Sequence, residues 1–571
     1  MYDDRLARHR AEIERLTKRE RAIGFGRLAA FALIVVFVLL RWEWAALGAV
    51  IAFIALVIAS EPVKTAKRRA AAAAAFCERG LSRLRHEWQG KGDAGSDFAE
   101  EHHPFAADLD LFGSGSLFEL MSIAATASGR ATLASWLKHP ERAMAADVRA
   151  RQASVAAQRD NVDLREDLFV EASEVSGEIE AARLEEWAAE PPLLASSGER
   201  LAALALGAFG TVSLVLAVLA LFTLLPKVWA LPFFVALVLR ALLERRLHEP
   251  VQRVNGAVER REPALALLAR LLARLEREEF WHATPGSARI ETLRRLVALL
   301  DARRNQFFAP VAAIMLWSEL VAFAIERWRR ESGRDIVAWM DAVGETEALL
   351  SLASFAYENP SFATPEIVEG GPLFDAVAAA HPLIASDRRV PNDVRLGVLI
   401  VSGSNMSGKS TLLRTVGINA VLALAGAPVC ARSLRVTPMS IGASIRIHDS
   451  LAEGASRFYA EILRIRQIVE MPPPLLFLLD ELLHGTNSHD RAIGAEAIVR
   501  GLVERGAIGL ATTHDLALAQ VAEALAPRAA NVHFEDHLEG DAIVFDYTMR
   551  PGVVTKSNAL ALMKAVGIIR G

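Results

Sequence analysis

Eight consecutive residues carry the clearest chemical pattern in this chain of 571 residues. They read Gly403-Ser404-Asn405-Met406-Ser407-Gly408-Lys409-Ser410, and Thr411 follows. The run fits the phosphate-binding loop pattern at every fixed position and comes directly after a short apolar stretch typical of a strand. Glycines let backbone N–H groups face a phosphate, and the helix that follows adds the positive end of its dipole. We therefore expect all nine residues to bind a nucleotide, with Lys409 also catalytic and Ser410 also a Mg²⁺ ligand.

A pair of carboxylates follows about seventy residues later. The apolar run Leu475–Leu479 ends in Asp480 and Glu481, as expected for a buried parallel strand that places two acids at its carboxyl end. An acidic pair alone is weak evidence, but beside a phosphate loop it completes a nucleotide site. The spacing predicts that Asp480 binds Mg²⁺ and that Glu481 acts as general base.

A third apolar run, residues 508–512, ends just before His514. A histidine at that strand end can donate a hydrogen bond to the γ-phosphate and respond to its loss. Taken alone, the same residue is more often an ordinary surface histidine. Its position after the loop and the acidic pair favours a catalytic role.

Three further stretches have the spacing of a known family. They are Val390–Asp393, Asp449–Glu461 and Asp480–Asp490. With them, residues from about 376 to 571 resemble the ATPase domain of the MutS family, which is related to the ABC-type ATPases. The resemblance implies ATP and Mg²⁺ as cofactors. It also implies that Ser456 contacts the γ-phosphate held by an opposite subunit, hence a homodimer, although Ser456 also fits a simple helix N-cap.

Hydropathy indicates a membrane. Hydrophobic residues make up 52% of the chain and the mean hydropathy is +0.25, which is high for a soluble protein. Two apolar hairpins account for the excess, one at about residues 22–60 and one at 201–246, each with a very short polar break. Buried core helices are the alternative. Lys and Arg flank the outer ends of the hairpins, so we expect a multi-pass protein of the inner (cytoplasmic) membrane with its ATPase domain in the cytoplasm.

The predicted fold is multidomain: an all-α core and lever helices with two transmembrane helical hairpins, plus a C-terminal α/β P-loop ATPase domain of the ABC/MutS type. The predicted segments are an N-terminal helix with the first hairpin (1–100), a helical region similar to the MutS core (101–200), the second hairpin (201–246), lever-like helices (247–375) and the ATPase domain (376–571).

These features together predict a membrane-anchored MutS-like ATPase that hydrolyses ATP at composite dimer sites. The net charge of −4 carries no nucleic-acid signature, so DNA binding and a mismatch-repair role rest on the resemblance alone. Mismatch discrimination is not expected, because mismatch readers of the family carry their Phe-x-Glu motif on an N-terminal domain, whereas the first hundred residues here hold a predicted membrane hairpin and no such domain. The alternatives are an ABC-like membrane transport ATPase and a nucleotide-switched membrane scaffold. A Leu-Ser-Gly-Gly-Gln signature is absent, which argues against the first, and Glu481 argues against the second.

Overall fold

The computed structural model describes the chain except residues 1, 174–180, 195, 223–224, 303–305, 307, 405–406, 447–456, 484–487, 514–515, 540–541 and 555–571. The α-helices are α1 Tyr2–Leu39, α2 Glu43–Leu84, α3 Leu117–Met121, α4 Ala127–Lys138, α5 Ala145–Gln158, α6 Val162–Ser173, α7 Ala181–Ala189, α8 Ser197–Leu221, α9 Leu231–Glu259, α10 Glu262–Leu275, α11 Ser287–Ala302, α12 Ala309–Ile314, α13 Trp317–Glu358, α14 Lys409–Ala425, α15 Arg457–Glu470, α16 Ser488–Glu504 and α17 Leu516–Ala524. The strands are β1 Glu366–Ile367, β2 Phe374–Ala379, β3 Asn392–Leu396, β4 Val398–Ser402, β5 Ser433–Val436, β6 Ser440–Ser444, β7 Leu475–Leu479, β8 Ile508–Thr513, β9 Ala529–Glu539 and β10 Ala542–Pro551.

Helices α1 and α2 form a long antiparallel hairpin, as the sequence predicted. Its far end is apolar and exposed: Leu39 is 77% exposed and Trp44, just past the turn, 85%. Its near end is charged and packs on the rest of the protein. Within the apolar part, the Arg27 guanidinium lies 5.8 Å from the centre of the Phe53 ring. One helix pair therefore changes from a packed, charged base to an unpacked, apolar tip.

The second hairpin is formed by α8 and α9, which pack against each other. By length and composition, α1, α2 and α8 could each cross a membrane, and no further helix among the described residues meets the same criteria. The prediction of a fourth crossing, at the start of α9, thus lacks the support that the other three have. The reason is local: Arg240, Glu244 and Arg245 follow the apolar residues of α9 too closely for a full apolar span.

The lever-like helices converge on α13, which is 42 residues long. Its C-terminal third contains the buried Glu347, which accepts hydrogen bonds from the Ala125 and Thr126 N–H groups and from the Thr126 hydroxyl at the start of α4. The carboxylate therefore satisfies donors at a helix N-terminus. Arg329 on the same helix is also buried and donates to Glu326.

Two sheets make up the C-terminal part. The larger has the order β10-β9-β4-β8-β7-β6, with β9, β4, β8, β7 and β6 parallel and β10 antiparallel at the edge. The smaller has the order β1-β5-β2-β3. Strands β4 and β7 are fully buried, in keeping with their continuous apolar sequences. This α/β unit confirms the predicted fold class for the end of the chain.

The C-terminal core extends beyond the predicted boundary at residue 376. Strand β1 pairs with β5, so the α/β unit begins soon after α13 ends at Glu358. Side chains from residues 101–200, the segment predicted to be part of the helical core, also pack into this C-terminal core, among them Phe105, Leu109 and Phe118. Asp108 fixes the segment further, because its carboxylate accepts from the N–H groups of Ile445 and Arg446, at 2.8 and 2.7 Å.

Candidate nucleotide-binding site

The phosphate-binding loop connects the end of β4 to the start of α14. Gly403 has φ +142° and Gly408 has φ +104°, a region of backbone space that L side chains rarely adopt. A Cβ on Gly403 would lie 2.8 Å from the Ser407 Oγ and 3.0 Å from the Phe534 carbonyl oxygen. The loop is therefore too tight for another residue at that position. Its helix begins at Lys409, so the N-terminal N–H groups of α14 face the loop.

Lys409 is buried, with 2% of its surface exposed. Its Nζ donates to the carbonyl oxygens of Gly403 at 2.7 Å and Ser404 at 3.0 Å. Burial lowers the pKa of the ammonium, and the nearby Glu481 and Asp480 partly oppose that shift. A buried ammonium held by neutral carbonyls is a strong binding partner for an incoming anion, because a phosphate would restore the charge balance.

The acidic edge lies beside the loop. Asp480 accepts hydrogen bonds from the hydroxyls of Ser410 and Thr512, one on each carboxylate oxygen. Its own N–H donates to the Ser444 carbonyl at 2.9 Å. Strands β7 and β8 pair in register, Leu479 with Ala511, which brings Asp480 level with Thr512. Two neighbouring elements thus orient the carboxylate, and a third holds the backbone of Asp480.

Glu481 follows in an unusual backbone conformation. Its φ is +48°, and that of Leu483 is +57°, although neither residue is glycine. Two hydrogen bonds fix this turn: the Glu481 N–H donates to the Thr512 hydroxyl at 2.8 Å, and the Leu483 N–H donates to the buried Glu461 carboxylate at 2.5 Å. Backbone strain of this kind is concentrated at functional sites. The positive φ at Glu481 turns the chain away from the direction of β7, the strand that ends just before Asp480.

The residues fit a magnesium ion. Mg²⁺ prefers hard oxygen ligands, and the Ser410 hydroxyl and the Asp480 carboxylate are adjacent at the end of the phosphate loop. Together they would contribute one neutral and one charged oxygen. Such a site would leave the remaining coordination positions to phosphate and water, which is the usual arrangement for this ion.

A cavity of about 500 Å³ opens beside the loop. Its lining comes from β2, the 381–392 segment, α14 and the last two strands: Ala379, His381, Ile384, Arg388, Arg389, Val390, Asn392, Gly408, Thr411, Leu412, Thr415, Phe534 and Tyr547. Asn392 braces one wall, since its side chain donates to the Tyr547 carbonyl and accepts from the Met549 N–H. The rings of Phe534 and Tyr547 and two guanidinium groups around such a cavity suit a planar, polar ring.

Most of the predicted nucleotide residues meet at this place. Gly403, Ser404, Ser407, Gly408, Lys409, Ser410 and Thr411 form the described part of the loop, and Asp480 and Glu481 lie beside it. Asn405, Met406, Ser456 and His514 lie outside the described residues. Sequence reasoning missed the role of Thr512, and the signal was present: it is the polar residue one strand over, at the end of an apolar run. It also missed Tyr547, which lies far along the chain and has no local motif.

The fold and the site define a P-loop type nucleotide-binding domain: a phosphate loop between a buried parallel strand and a helix, with an acidic pair at the end of a neighbouring strand. Residues 399–570 match the family model described as MutS domain V.

Curated relatives agree. DNA mismatch repair protein MutS 2 of Halobacterium salinarum is 32% identical over 253 residues, covering 42% of this chain and 29% of that protein. MutS of Methanosarcina acetivorans is 30% identical over 269 residues, covering 45% and 29%. DNA mismatch repair protein MSH3 of Phaeosphaeria nodorum is 32% identical over 243 residues, covering 40% and 21%. The chain spans less than a third of the length of these relatives. The similarity to MutS-family proteins thus lies in the C-terminal part of the chain.

Proposed function

We propose that this protein is a Mg²⁺-dependent ATPase of the MutS type, anchored in the cytoplasmic membrane, whose nucleotide sites are completed by dimerisation. The observation that carries the proposal is the meeting of the buried Lys409, Ser410 and Asp480 at one end of the parallel sheet. Phosphoryl transfer needs such an arrangement, because its catalysis is mostly positioning and charge stabilisation.

Each group has a proposed role. Lys409 leaves the loop carbonyls and binds the β- and γ-phosphates, while Ser410 and Asp480 hold Mg²⁺, which neutralises phosphate charge when bound. Glu481 orients the attacking water and accepts its proton. Thr512 fixes both acids, since its hydroxyl donates to the Asp480 side chain and accepts from the Glu481 N–H. The cavity lined by Arg389 and Tyr547 takes the base.

A composite site is the proposed assembly. Ser456 of one subunit would contact the γ-phosphate in the other, and His514 would contact it from within the same subunit. Mixing an inactive Lys409→Ala chain with an inactive Ser456→Arg chain tests this arrangement, because one of the two sites in the heterodimer is then intact. Partial recovery of ATP hydrolysis is expected. No recovery in verified heterodimers would refute the composite arrangement and leave the ATPase itself standing.

Membrane anchoring is supported by the unpacked apolar ends of both hairpins. Leu39 is exposed on α1, Ile58 on α2 and Leu221 on α8. Exposed apolar faces of this extent on a soluble protein would favour aggregation, whereas lipid covers them. Tryptophans at the hairpin tips, Trp42 and Trp229, suit the membrane interface.

Thiol labelling tests the topology. Both native cysteines are buried, so a single introduced cysteine gives a clear signal. We expect Trp44→Cys to react with a membrane-impermeant reagent from outside intact cells, and Lys91→Cys to react only after permeabilisation. Release of the protein by carbonate, or labelling of both variants from the same side, would refute the anchor.

A role in DNA mismatch repair is a proposal that rests on the names of the relatives. We propose that any DNA binding is salt-sensitive and indifferent to mismatch, because it would depend on phosphate contacts near an anionic membrane surface. ATP hydrolysis measured with no DNA, matched duplex and mispaired duplex at fixed salt tests this. A preference for the mispair of about tenfold, equal to roughly 1.4 kcal/mol, would contradict it.

A nucleotide-switched scaffold is a second candidate, favoured by one contact. Glu358, the last residue of α13, is bound by Tyr2 and Arg83 at the base of the first hairpin. The end of the lever helix is therefore tied directly to the membrane helices. The two candidates differ in turnover: a scaffold would work equally well with Glu481→Gln, whereas an ATPase-driven cycle would stop.

A further inference from the structure

Three side chains of the types that can bind a metal ion meet at the base of the first hairpin, outside the candidate nucleotide site. They are His9 on α1, Cys77 on α2 and Glu166 on α6. One ligand atom from each lies within 4.8 Å of the other two. The three residues come from distant parts of the chain, so no sequence motif predicts the cluster.

The geometry of the cluster is close to what a metal ion needs. The His9 Nε2 lies 2.8 Å from Glu166 Oε1, and the Cys77 Sγ lies 4.0 Å from Glu166 Oε2. Zinc bonds of about 2.0–2.3 Å to nitrogen, oxygen and sulfur would bring such atoms to roughly 3.5 Å apart in a tetrahedral site. Only small side-chain movements separate the present arrangement from a closed one.

The charges also balance. A thiolate, a carboxylate and a divalent cation sum to zero, and a ligating histidine is neutral. The neighbouring Arg5 lies 3.2 Å from Glu166, but it also forms a 2.6 Å ion pair with Asp163. Asp163 would therefore continue to balance Arg5 after Glu166 bound the metal. Cys77 is fully buried while His9 and Glu166 are partly exposed, which leaves an open side for water as a fourth ligand.

We propose that His9, Cys77 and Glu166 bind one zinc ion that links α1, α2 and α6. The donor set decides the metal: one thiolate, one imidazole and one carboxylate suit zinc, whereas magnesium or calcium would require oxygen ligands throughout.

The position of the site gives the ion a structural role. On the same two helices, about two turns away, Tyr2 and Arg83 bind Glu358 at the end of α13. A zinc ion would hold α1 and α2 together beside that contact and attach both to α6. It would thus stiffen the connection between the apolar hairpin and the lever helix. This inference does not depend on the proposed ATPase activity.

Cobalt substitution tests the ligands directly. The full chain is purified in detergent, freed of any affinity tag and titrated with Co²⁺ alone. A thiolate ligand produces a charge-transfer absorption in the near ultraviolet, and tetrahedral coordination produces intense visible bands. The chain has only two cysteines, so the thiolate can be assigned. We expect both signals in the parent and in Cys430→Ser, the matched control, and their loss in Cys77→Ser.

Zinc affinity provides the second measurement, by competition with a chromophoric chelator. We expect one tight site per chain, weakened on the order of 100-fold by Cys77→Ser or by His9→Gln, since even outer partners of metal ligands are worth 10–100-fold. His9→Gln changes a partly exposed residue, so it decides the question if Cys77→Ser does not fold. Absence of the thiolate absorption in the parent, or zinc affinities of the variants within threefold of the parent, would overturn the proposal.

Discussion

Two buried cations in this protein have opposite surroundings. Arg83, at the base of the first hairpin, makes a two-fold contact with Glu358, with Nε–Oε2 and Nη2–Oε1 distances of 2.7 and 2.6 Å. Lys409, in the phosphate loop, donates to two carbonyl oxygens. Burial alone would lower both pKa values. Beside Glu358 the pKa of Arg83 is raised overall, whereas that of Lys409 remains lowered despite Glu481 and Asp480 nearby.

The different surroundings indicate different roles: Arg83 stabilises the fold, whereas Lys409 is suited to binding a ligand. A buried cation with a matched carboxylate has no further binding capacity, and removing its partner leaves an uncompensated charge. A buried ammonium held only by neutral carbonyls still has its charge to neutralise, so it favours an anionic ligand. The same argument applies to the two carboxylates: Glu358 is occupied by Arg83 and Tyr2, whereas Asp480 is held by neutral hydroxyls that a metal ion can replace or share.

The largest expected effect is on turnover. Lys409→Ala removes the cation that binds phosphate and should abolish ATP binding, while Glu481→Gln should bind ATP and lose hydrolysis. Either change should lower the rate on the order of 10³-fold or more. Phosphate release and filter binding of labelled ATP measure the two steps. Lys91→Ala, at an exposed position, is the control; full hydrolysis by both site variants would remove the ATPase assignment.

Next in size is the loss of the structural pair. Glu358→Ala leaves Arg83 buried without its carboxylate, and we expect unfolding of the helical part to become easier by about 3–5 kcal/mol. Denaturant unfolding followed by circular dichroism measures it. The matched control is Glu331→Ala, which breaks an ion pair with Arg327 that is exposed on both sides and should cost little. Equal effects from the two variants would show that burial does not distinguish these pairs.

A smaller effect tests the residue that orients both acids. Thr512→Val keeps the shape of the side chain but removes the hydroxyl that contacts Asp480 and Glu481. We expect the rate to fall about 10–100-fold and the apparent affinity for Mg²⁺ to weaken, as for other groups that position metal ligands. Titration of the ATPase rate with Mg²⁺ measures both quantities. Thr512→Ser restores the hydroxyl and should recover most of the activity; a Thr512→Val chain with parental Mg²⁺ dependence would contradict the role.

The smallest expected effect is on the pH dependence of stability. Burial lowers the pKa of His103 to about 4, the charge of Lys138 adds to the shift, and the contact of its Nε2 with the Lys138 carbonyl partly opposes it. An unfolded histidine has a pKa of about 6.5, so the folded state favours the neutral ring. The stability that follows is complete above that pH and is lost as the pH falls toward about 4.

Lowering the pH from about 7 to about 5.5 should therefore cost roughly 1 kcal/mol through His103. Denaturant unfolding at the two pH values measures it, and His103→Gln should remove that part of the difference. The adjacent His102→Gln changes an exposed ring and is the control. Loss of pH dependence in the control, or its persistence unchanged in His103→Gln, would assign the effect to another group.

Local sequence was sufficient for the elements whose signals are contiguous. The phosphate loop is a run of eight residues between an apolar strand and a helix, and the structure has β4, the loop and α14 in that order. The first hairpin was also predictable, because its apolar residues are consecutive and its break is short. Its lower part was not, since charged residues 2–20 indicate only an exposed helix, whereas Tyr2 is buried against Phe76 and Tyr357.

The sequence by itself determined the phosphate loop and the acidic pair from which the nucleotide chemistry is proposed, through neighbours along the chain. The tertiary structure decided how those groups are supported. Thr512 meets Asp480 because two parallel strands pair in register, Tyr2 meets Glu358 across 356 residues, and His9, Cys77 and Glu166 meet only where three helices pack. Helix and strand signals depend on residues a few positions apart, whereas these contacts depend on the path of the whole chain, which local periodicity does not specify.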